Sequence, residues 1–411
     1  MNTRIPGAAF TAYGTTRGAE EHQSPSISRS TLSVGHGRSL QDLRDQLPAW
    51  ERLYTVSGVN NPFVDPLWLM AWAEHYVGEN DLDVIFVRSD GRLVGVAPFY
   101  RSRARLLGRL GPSRLLLLGS GGRDNLTELT ELLVLKQQCR AILKTIVTDI
   151  AFSADCDWLE FAFAAQHGWL ETQWLPMRGQ HPRFVALHKG TTASVILELL
   201  GTSDGIPLKR NMRRNLRHRN NQLQRQGATI GIERLNRADQ MEYGLQILSR
   251  LHRARSTMHG VPFHPDMLQV GRARAFLGDA VTSMAAAGRA AIFVLHIDRQ
   301  PAAVQLVLIA NGCYYMALSG LDPTRWHASP LTLLTAAVID DAHACGANRV
   351  NLSTGPNTAK LSWSEHLEYH QEFLLFRRSV LASTRFAAYW QARSFERIWH
   401  EYRLQRRLAG P

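Results

Sequence analysis

The chain has 411 residues, 45% of them hydrophobic and 20% charged, with a formal net charge of +12 at pH 7 and a pI near 9.9. This length exceeds a single compact core and predicts two or three domains. The charge favours an anionic partner, such as a nucleic acid, a phosphorylated cofactor, an anionic saccharide or a lipid surface. The four cysteines lack metal-site spacing, which argues against a zinc site or a disulfide framework and favours a reducing compartment. No apolar run approaches the roughly 18 residues of a membrane span.

The first 38 residues carry Ser, Thr, Gly and Arg without apolar periodicity. They lack the apolar centre of a secretory signal, so we expect residues 1–38 to be a disordered leader. A signal for a specialised export system is the alternative.

The first half shows two helical patterns, at residues 39–55 and 65–76, followed by a β-hairpin. The hairpin has arms at 84–87 and 93–97 around the turn at Ser89–Arg92. Further strands are predicted at 115–118 and 158–163, with helical stretches near 126–138 and 139–153.

The second half repeats this order of elements. Helices are predicted near 203–226, 237–255, 264–279 and 331–345, strands at 292–296, 302–309, 314–318, 349–352 and 372–377, and a final helix at 383–408 that packs against the body. The tripeptide Ile-Phe-Val begins a hairpin in both halves, at 85–87 and 292–294. Two copies of one α/β unit are the simplest explanation.

The helix ahead of the second copy is unusually basic. No acidic residue lies between Asp204 and Glu233. Four arginines share one helix face at spacings i, i+3, i+4 and i+7, namely Arg210, Arg213, Arg214 and Arg217. A neighbouring apolar stripe of Leu208, Met212, Leu216 and Leu223 predicts that the helix packs against the body. Planar guanidinium groups suit phosphate; a solvated helix face is the alternative.

The assembled motifs resemble the double-domain GNAT acyltransferases of the CelD-like branch, which is related to the FemABX peptidyltransferases. The resemblance covers roughly residues 40–380. Its carriers are the basic helix 208–227, then His252, Arg255 and Gly260, and then Tyr315, Gly320-Leu321-Asp322-Pro323, Ser329-Pro330, Gly346, Gly355, Lys360 and Trp363. In the first half they are Pro62-Phe63, Trp68 and Trp72, followed by the Asp90-Gly91 hairpin.

The resemblance implies an α/β fold of two tandem GNAT-like domains, each a mixed, mostly antiparallel sheet flanked by helices. It places an N-terminal domain at 39–190, a C-terminal domain with the active site at 191–380 and a basic helix at 381–411. The implied activity is N-acyl transfer from acetyl-CoA or another acyl-CoA, without a metal, to an amine of a saccharide or cell-envelope precursor. Exopolysaccharide or cellulose biosynthesis in the cytoplasm is the implied setting.

One departure concerns the donor. The Arg/Gln-x-x-Gly-x-Gly/Ala loop, which cradles pyrophosphate in single-domain GNAT enzymes, does not precede the helix at Leu331. The segment 105–111 is a near match with one residue too many, and it lies in the first half. The donor is then held differently, or it is not coenzyme A.

Acyl transfer to an amine requires a neutral nucleophile, a polarised carbonyl and a protonated leaving thiolate. His252 is the first candidate for the base, with His259 and His264 as rivals; a buried helix histidine is the alternative. Tyr315, beside Tyr314 at the end of a strand, can protonate the thiolate or pack in the core. Asp322 can fix an acceptor amine, orient a base or serve its turn alone.

Further residues are candidates for binding. Lys360 can bind an acceptor anion or polarise the carbonyl, and the resemblance adds Arg255 and Trp363 as substrate-binding residues. Ser329 caps the helix that follows it, whose N-terminus attracts phosphate, and the four arginines of the basic helix complete the donor site. The Gly-rich turn at 119–124 lacks P-loop spacing and is predicted to be a flexible loop near the cleft.

Three other functions remain open. A FemABX-like transferase would hold aminoacyl-tRNA on the basic helix, although the long helical hairpin frequent in that family is absent from the sequence. A nucleic-acid-binding protein without catalysis would show steep salt dependence, but no known binding module is present. A degenerate transferase could act as a scaffold in a polysaccharide complex.

Overall fold

The computed structural model describes residues 31–78, 80–103, 112–121, 126–153, 156–165, 184–199, 206, 208–258 and 264–391. The strands are Leu32–Gly37 (β1), Leu82–Ser89 (β2), Arg92–Arg103 (β3), Ser113–Leu117 (β4), Leu133–Val134 (β5), Trp158–Ala165 (β6), Phe184–Glu198 (β7), Ile230–Leu235 (β8), Ala290–Ile297 (β9), Gln300–Ala310 (β10), Cys313–Leu321 (β11), Arg349–Thr354 (β12) and Leu367–Arg377 (β13). The α-helices are Leu40–Ser57 (α1), Pro66–Tyr76 (α2), Cys139–Ser153 (α3), Arg210–Arg225 (α4), Met241–Ser256 (α5), Gly271–Ala286 (α6), Pro330–Ala344 (α7), Thr358–Leu361 (α8) and 380–391 (α9).

One sheet runs through the body in the order β1-β2-β3-β4-β6-β13-β7-β12-β11-β10-β9-β8, and β5 pairs with β3. Its outer parts are antiparallel meanders. Each half contains one parallel pair, β4 with β6 and β11 with β12, and each pair is connected through a crossover helix, α3 or α7. The predicted mixed, mostly antiparallel sheet is confirmed.

The two halves share one order of elements. A strand and two helices precede three antiparallel strands in each half, and a helix and a parallel strand follow them. The shared Ile-Phe-Val tripeptides lie in β2 and β9, the first arms of equivalent hairpins. The predicted tandem architecture is therefore confirmed.

The halves exchange strands at their junction. Strand β7 comes after β6 in the chain but pairs with β12 of the second half, whereas β13 comes after β12 but pairs with β6 of the first half. The two exchanged strands also pair with each other, from Leu367 opposite Val195 to Arg377 opposite Phe184. The domain boundary proposed at residue 190 lies within β7, and the division at that residue stays a prediction.

Helices of the two halves also pack together. Trp68 of α2 meets Phe276 of α6 edge to face at 4.9 Å, within a hydrophobic cluster that draws on both halves. Arg289 forms ion pairs with Glu51 at 2.8 Å and with the fully buried Asp65 at 3.0 Å. Burial raises the pKa of Asp65 to about 6, and the nearby Arg289 opposes that rise. The junction thus combines an apolar core with a charged contact.

Some local predictions were wrong. Residues 32–37, inside the predicted leader, form β1 on the edge of the sheet. Residues 126–138 are not a helix but an extended segment with β5 and a 3-10 turn at Lys136–Gln138. Its leucines at helical spacing are all buried against the sheet, and so are Thr127 and Thr130 between them. Because this segment is buried on several sides, its apolar residues do not mark a single helix face, and their spacing does not indicate a helix.

Other boundaries moved. The helix predicted at 264–279 begins only at Gly271, as α6, and Lys360 lies in the short helix α8 rather than in a loop. The final helix begins at residue 380, and its predicted continuation beyond 391 lies outside the described residues. None of the described helices is both long and apolar enough to cross a membrane.

Gly320 determines how closely α5 approaches β11. A Cβ at this position would lie 2.5 Å from the backbone nitrogen of His252 and 2.6 Å from the carbonyl carbon of Leu251, and backbone atoms cannot rotate away. We expect Gly320→Ala to lower the free energy of unfolding by about 1–3 kcal/mol, measured by urea unfolding. Gly278→Ala, where the helix has open space, is the control and should be neutral or stabilising. Equal effects would contradict the predicted close approach.

Candidate active site

A cavity of about 890 Å³ opens where the parallel strands β11 and β12 separate. Their register ends after Tyr315 and Asn351. Beyond this point the cavity is lined on one side by Met316–Ser319 and on the other by Leu352–Thr354. The backbone edge of β11 that faces β12 therefore turns toward the cavity instead of toward a neighbouring strand.

Local sequence explains the separation. The side-chain oxygen of Asn351 accepts a hydrogen bond of 2.8 Å from the backbone N–H of Ser353, which bends β12. Ser353 has a φ of +72°, an uncommon conformation for a residue with a Cβ. In β11 the register with β10 shifts between Leu306 and Val307, opposite Ala317. Both strands thus deviate beside the cavity, as is common at functional sites.

Helices and the first half of the chain supply the remaining walls. The first turn of α7 contributes Leu331 and Thr332, and the inner face of α4 contributes Met212 and Asn215. The other lining residues that bear on chemistry are His252, Arg255, His264, Lys360, Trp363 and Glu128. Glu128 is the only one of these from the first half.

Comparisons with known proteins bear on this site. Residues 210–361 match the family described as the acetyltransferase (GNAT) domain. The segment is a GNAT acetyltransferase domain. It contains α4, both diverging strands, α7 and α8, and hence most of the cavity wall. No curated protein sequence matches the chain.

The structure of FemX extends the similarity of fold beyond this domain. FemX shares 14% sequence identity at a TM-score of 0.54, over 83% of this chain and 96% of that chain. The L-PGS structure from Bacillus licheniformis shares 14% identity at a TM-score of 0.48, over 83% and 94%. At such identities the FemX comparison shows the fold alone, and that fold agrees with the two tandem halves.

Both ring nitrogens of the fully buried His252 have partners in the GNAT domain. Nδ1 lies 2.8 Å from the carbonyl oxygen of Ser319, and Nε2 accepts a bond of 3.2 Å from the backbone N–H of Met267. Burial is the main cause that lowers the pKa of His252. A neutral ring with Nδ1–H satisfies every contact, so the predicted base has no unoccupied lone pair. This geometry favours a role in positioning β11.

Arg255 and His264 stand beside His252. Arg255 donates to the hydroxyl of Ser319 at 2.8 Å, and burial lowers its pKa. Burial first, and then the charge of Arg255, lowers the pKa of His264 to about 3. His264 is therefore a neutral ring that lines the cavity. The other predicted rival, His259, lies outside the described residues, as does Gly260.

Lys360 and Trp363 also line the cavity, and their roles in binding stay predictions. The ammonium group of Lys360 donates to the backbone carbonyl of Thr354. Burial lowers the pKa of Lys360, Arg255 lowers it further, and Glu128 opposes both. Trp363 is 6% exposed and packs with the core of the GNAT domain while one side lines the cavity.

Tyr315 does not line the cavity but lies behind it. Its hydroxyl donates to Glu128 at 2.7 Å, and burial raises its pKa well above the ordinary value. It also has a side-chain hydrogen bond with Ser194 of β7. Ser194 in turn lies 2.8 Å from Nε2 of His370 of β13, and both residues are fully buried. A chain of hydrogen bonds thus connects Glu128 to the exchanged strands.

Asp322 and Ser329 serve turns at the entrance to α7. Asp322 accepts hydrogen bonds from the backbone N–H and the hydroxyl of Thr324, at 2.9 and 2.8 Å, and it does not line the cavity. Ser329 precedes Pro330 with a left-handed φ of +52°, and its side chain makes no capping bond. The contacts of Asp322 are therefore those of a turn residue. The first turn of α7, which follows Ser329, lines the cavity through Leu331 and Thr332.

The four arginines of α4 are exposed and absent from the cavity lining. Their helix turns Met212 and Asn215 inward, so the cationic face points away from the cavity. The sequence thus predicts the helix and its two faces. The face that lines the cavity carries Met212 and Asn215, however, and not the arginines. The near-match phosphate loop at 105–111 and residues 122–124 of the Gly-rich turn lie outside the described residues.

Sequence analysis missed Glu128, Ser353 and Thr354. Glu128 accepts hydrogen bonds from the hydroxyl groups of Tyr315, Ser353 and Thr354 and from the backbone N–H of Thr354. The only signal available was the Ser-Thr-Gly sequence at 353–355, which ends a strand, and nothing in the sequence connects it to residue 128.

The buried His370 makes stability depend on pH. Burial lowers its pKa to about 4, whereas an unfolded histidine has a pKa near 6.5. The unfolded state therefore binds more protons between these values, and stability falls as the pH decreases through this range. We expect His370 to account for a loss of about 2 kcal/mol between pH 7 and pH 5, measured by urea unfolding.

Two variants separate the imidazole from its hydrogen bond. His370→Gln should reduce this pH dependence by about the same amount. Ser194→Ala removes the contact but leaves the ring buried, and it should retain the dependence. An unchanged pH dependence in His370→Gln would contradict the low pKa.

Proposed function

We propose that the protein is an acyl-CoA-dependent N-acyltransferase whose donor enters the cavity between β11 and β12. The observation that carries the proposal is the separation of these strands within the GNAT domain, beside the first turn of α7. The carbonyls of Leu318 and Ser319 already have side-chain partners, Gln305 and His252. The other N–H and C=O groups along this edge of β11 are then available to an extended ligand that contains amides. The pantetheine arm of coenzyme A is such a ligand.

The phosphates of the donor would lie near the start of α7. Helix N-termini favour anions through their free N–H groups and their dipole. The N–H groups of Thr332 and Leu333 are already bonded to the carbonyl of Ser329, at 3.0 and 3.3 Å. We therefore assign the remaining phosphate contacts to the exposed arginines of α4, which a donor would reach only where it extends past the cavity.

The reaction needs few protein groups. The amine nitrogen attacks the thioester carbon, a C–N bond forms and the C–S bond breaks, while nitrogen loses a proton and the thiolate gains one. Lys360 and Arg255, both cationic and both in the wall, support binding of an acceptor with anionic groups, such as a phosphorylated or acidic saccharide precursor of the cell envelope. A role in exopolysaccharide or cellulose biosynthesis in the cytoplasm belongs to the same proposal.

A second candidate is an aminoacyl-tRNA-dependent transferase. The outward face of α4 favours it, because four exposed arginines on a helix without any acidic residue suit a polyanion larger than coenzyme A. In this function the cavity would receive only the aminoacyl end. The fold is compatible with both donors.

Donor binding tests the first proposal. We expect acetyl-CoA to bind with micromolar affinity in calorimetry, with 3′,5′-ADP as a comparison ligand. Arg213→Glu/Arg214→Glu should weaken binding by about tenfold, since exposed ionic contacts contribute about 1 kcal/mol or less each. Arg92→Glu/Arg250→Glu makes the same change of charge on other exposed elements and is the matched control. Equal losses in both variants would indicate a general field effect rather than contact with α4.

Salt dependence separates the two donors. An aminoacyl-tRNA donor should bind with an affinity that falls steeply with salt, and each arginine removed from α4 should reduce the logarithmic slope by about one. A folded protein that gives no heat with acetyl-CoA, but that binds aminoacyl-tRNA in this manner, would replace the first proposal by the second. Binding of neither donor would leave a non-catalytic role.

A further inference from the structure

The two oxygens of Glu128, which lines the cavity, are hydrogen-bonded unequally. Oε2 accepts four hydrogen bonds, from Tyr315 at 2.7 Å, from Ser353 at 2.7 Å, and from the N–H and hydroxyl of Thr354 at 2.9 and 2.8 Å. Within the described residues, Oε1 has one donor, the same Ser353 hydroxyl at 2.9 Å. One oxygen therefore fixes the side chain, and the other retains capacity for a ligand.

Glu128 is also the one carboxylate among the described residues that line this cavity. The other ionisable side chains in the wall are Arg255, Lys360 and two histidines. A cationic ligand in this cavity consequently has a single anionic partner. Because Arg255 and Lys360 are positively charged, the cavity wall disfavours a second protonated group on the ligand.

We infer that Oε1 of Glu128 receives the ammonium group of the acceptor and takes its first proton. The acceptor is then a primary amine that enters as a cation. This inference rests on the proposed acyl transfer, but it assigns the acceptor side of the cavity and uses a residue outside the GNAT domain match. It also supplies the base that the occupied nitrogens of His252 do not.

One ammonium proton passes to Oε1, and the neutral amine attacks the thioester carbon. The C–N bond forms, the C–S bond breaks, and a second nitrogen proton ends on the departing thiolate of coenzyme A. Glu128 then returns its proton to water, so the net reaction releases one proton.

Tyr315, Ser194 and His370 position this carboxylate. If Nε2–H of His370 donates to Ser194, Ser194 donates to Tyr315 and Tyr315 donates to Glu128, every contact in the chain is satisfied in one direction. Nδ1 of His370 is then a buried acceptor without a hydrogen-bond partner among the described residues. In this series of hydrogen bonds every donor points toward Oε2, and Oε1 remains available to the acceptor.

The test compares two small nucleophiles with acetyl-CoA as donor. Ethylamine is protonated at pH 7, whereas hydroxylamine is largely neutral, and thiol release reports the transfer to either. We expect Glu128→Gln to lower kcat/KM for ethylamine by about 10- to 100-fold, the range of a hydrogen bond to a charged group. The rate with hydroxylamine should change by less than about threefold, and binding of acetyl-CoA should be unchanged.

Glu131→Gln is the matched control, because Glu131 belongs to the same segment but does not line the main cavity. It should leave both rates as in the wild type. Glu128→Asp retains the charge but withdraws it, and it should give an intermediate loss with ethylamine if the glutamine variant folds poorly. Tyr315→Phe removes one donor to Oε2, and it should lower kcat/KM for ethylamine more than for hydroxylamine.

Three results would decide against the inference. Equal losses with both nucleophiles in Glu128→Gln would assign the residue a structural role. Full activity with ethylamine in that variant would remove Glu128 from the acceptor site. Donor binding without thiol release by either amine would also overturn the inference and leave the donor site intact. Absence of acetyl-CoA binding would instead overturn the proposed function itself.

Discussion

The exchange of β7 and β13 is the constraint on which the rest of the structure depends. The strand that follows each parallel pair in the sequence joins the other half of the sheet. Strand β6 therefore pairs with β13 of the second half, and β12 pairs with β7 of the first half. The exchanged strands bond to each other over eleven register pairs from Leu367 to Arg377. Because a sheet tolerates no slip at a buried junction, the register of this pair fixes both halves in one frame.

That frame explains how a residue of the first half can belong to a site of the second. Glu128 belongs to the first half, yet it accepts hydrogen bonds from Tyr315 of β11 and Thr354 of β12. The site therefore combines four cationic or neutral groups of the GNAT domain with one anion from the first half. Ser194 and His370 lie on the exchanged strands themselves, so the junction is chemically continuous with the site.

The sequence predicts what periodicity and turn chemistry encode. The Asp90-Gly91 hairpin, the Ser329-Pro330 helix start and the two faces of α4 are all present in the structure. Arg255, Lys360 and Trp363 line one cavity, and their binding roles stay predictions. Glu128 was not predictable, because the leucine spacing of its segment indicated a helix that does not form and its partners lie more than 180 residues away. Likewise, the occupied nitrogens of His252 depend on tertiary contacts with Ser319 and Met267.

The strand exchange also has a consequence for synthesis on the ribosome. The first half is made complete long before residue 367 leaves the exit tunnel, so β6 has an open edge until β13 arrives. Such an edge is a template for wrong pairing with a second nascent chain. Strand β7 cannot pair early either, because both of its partners, β12 and β13, are synthesised after it. Final closure of the sheet is therefore a late event that waits for nearly the whole chain.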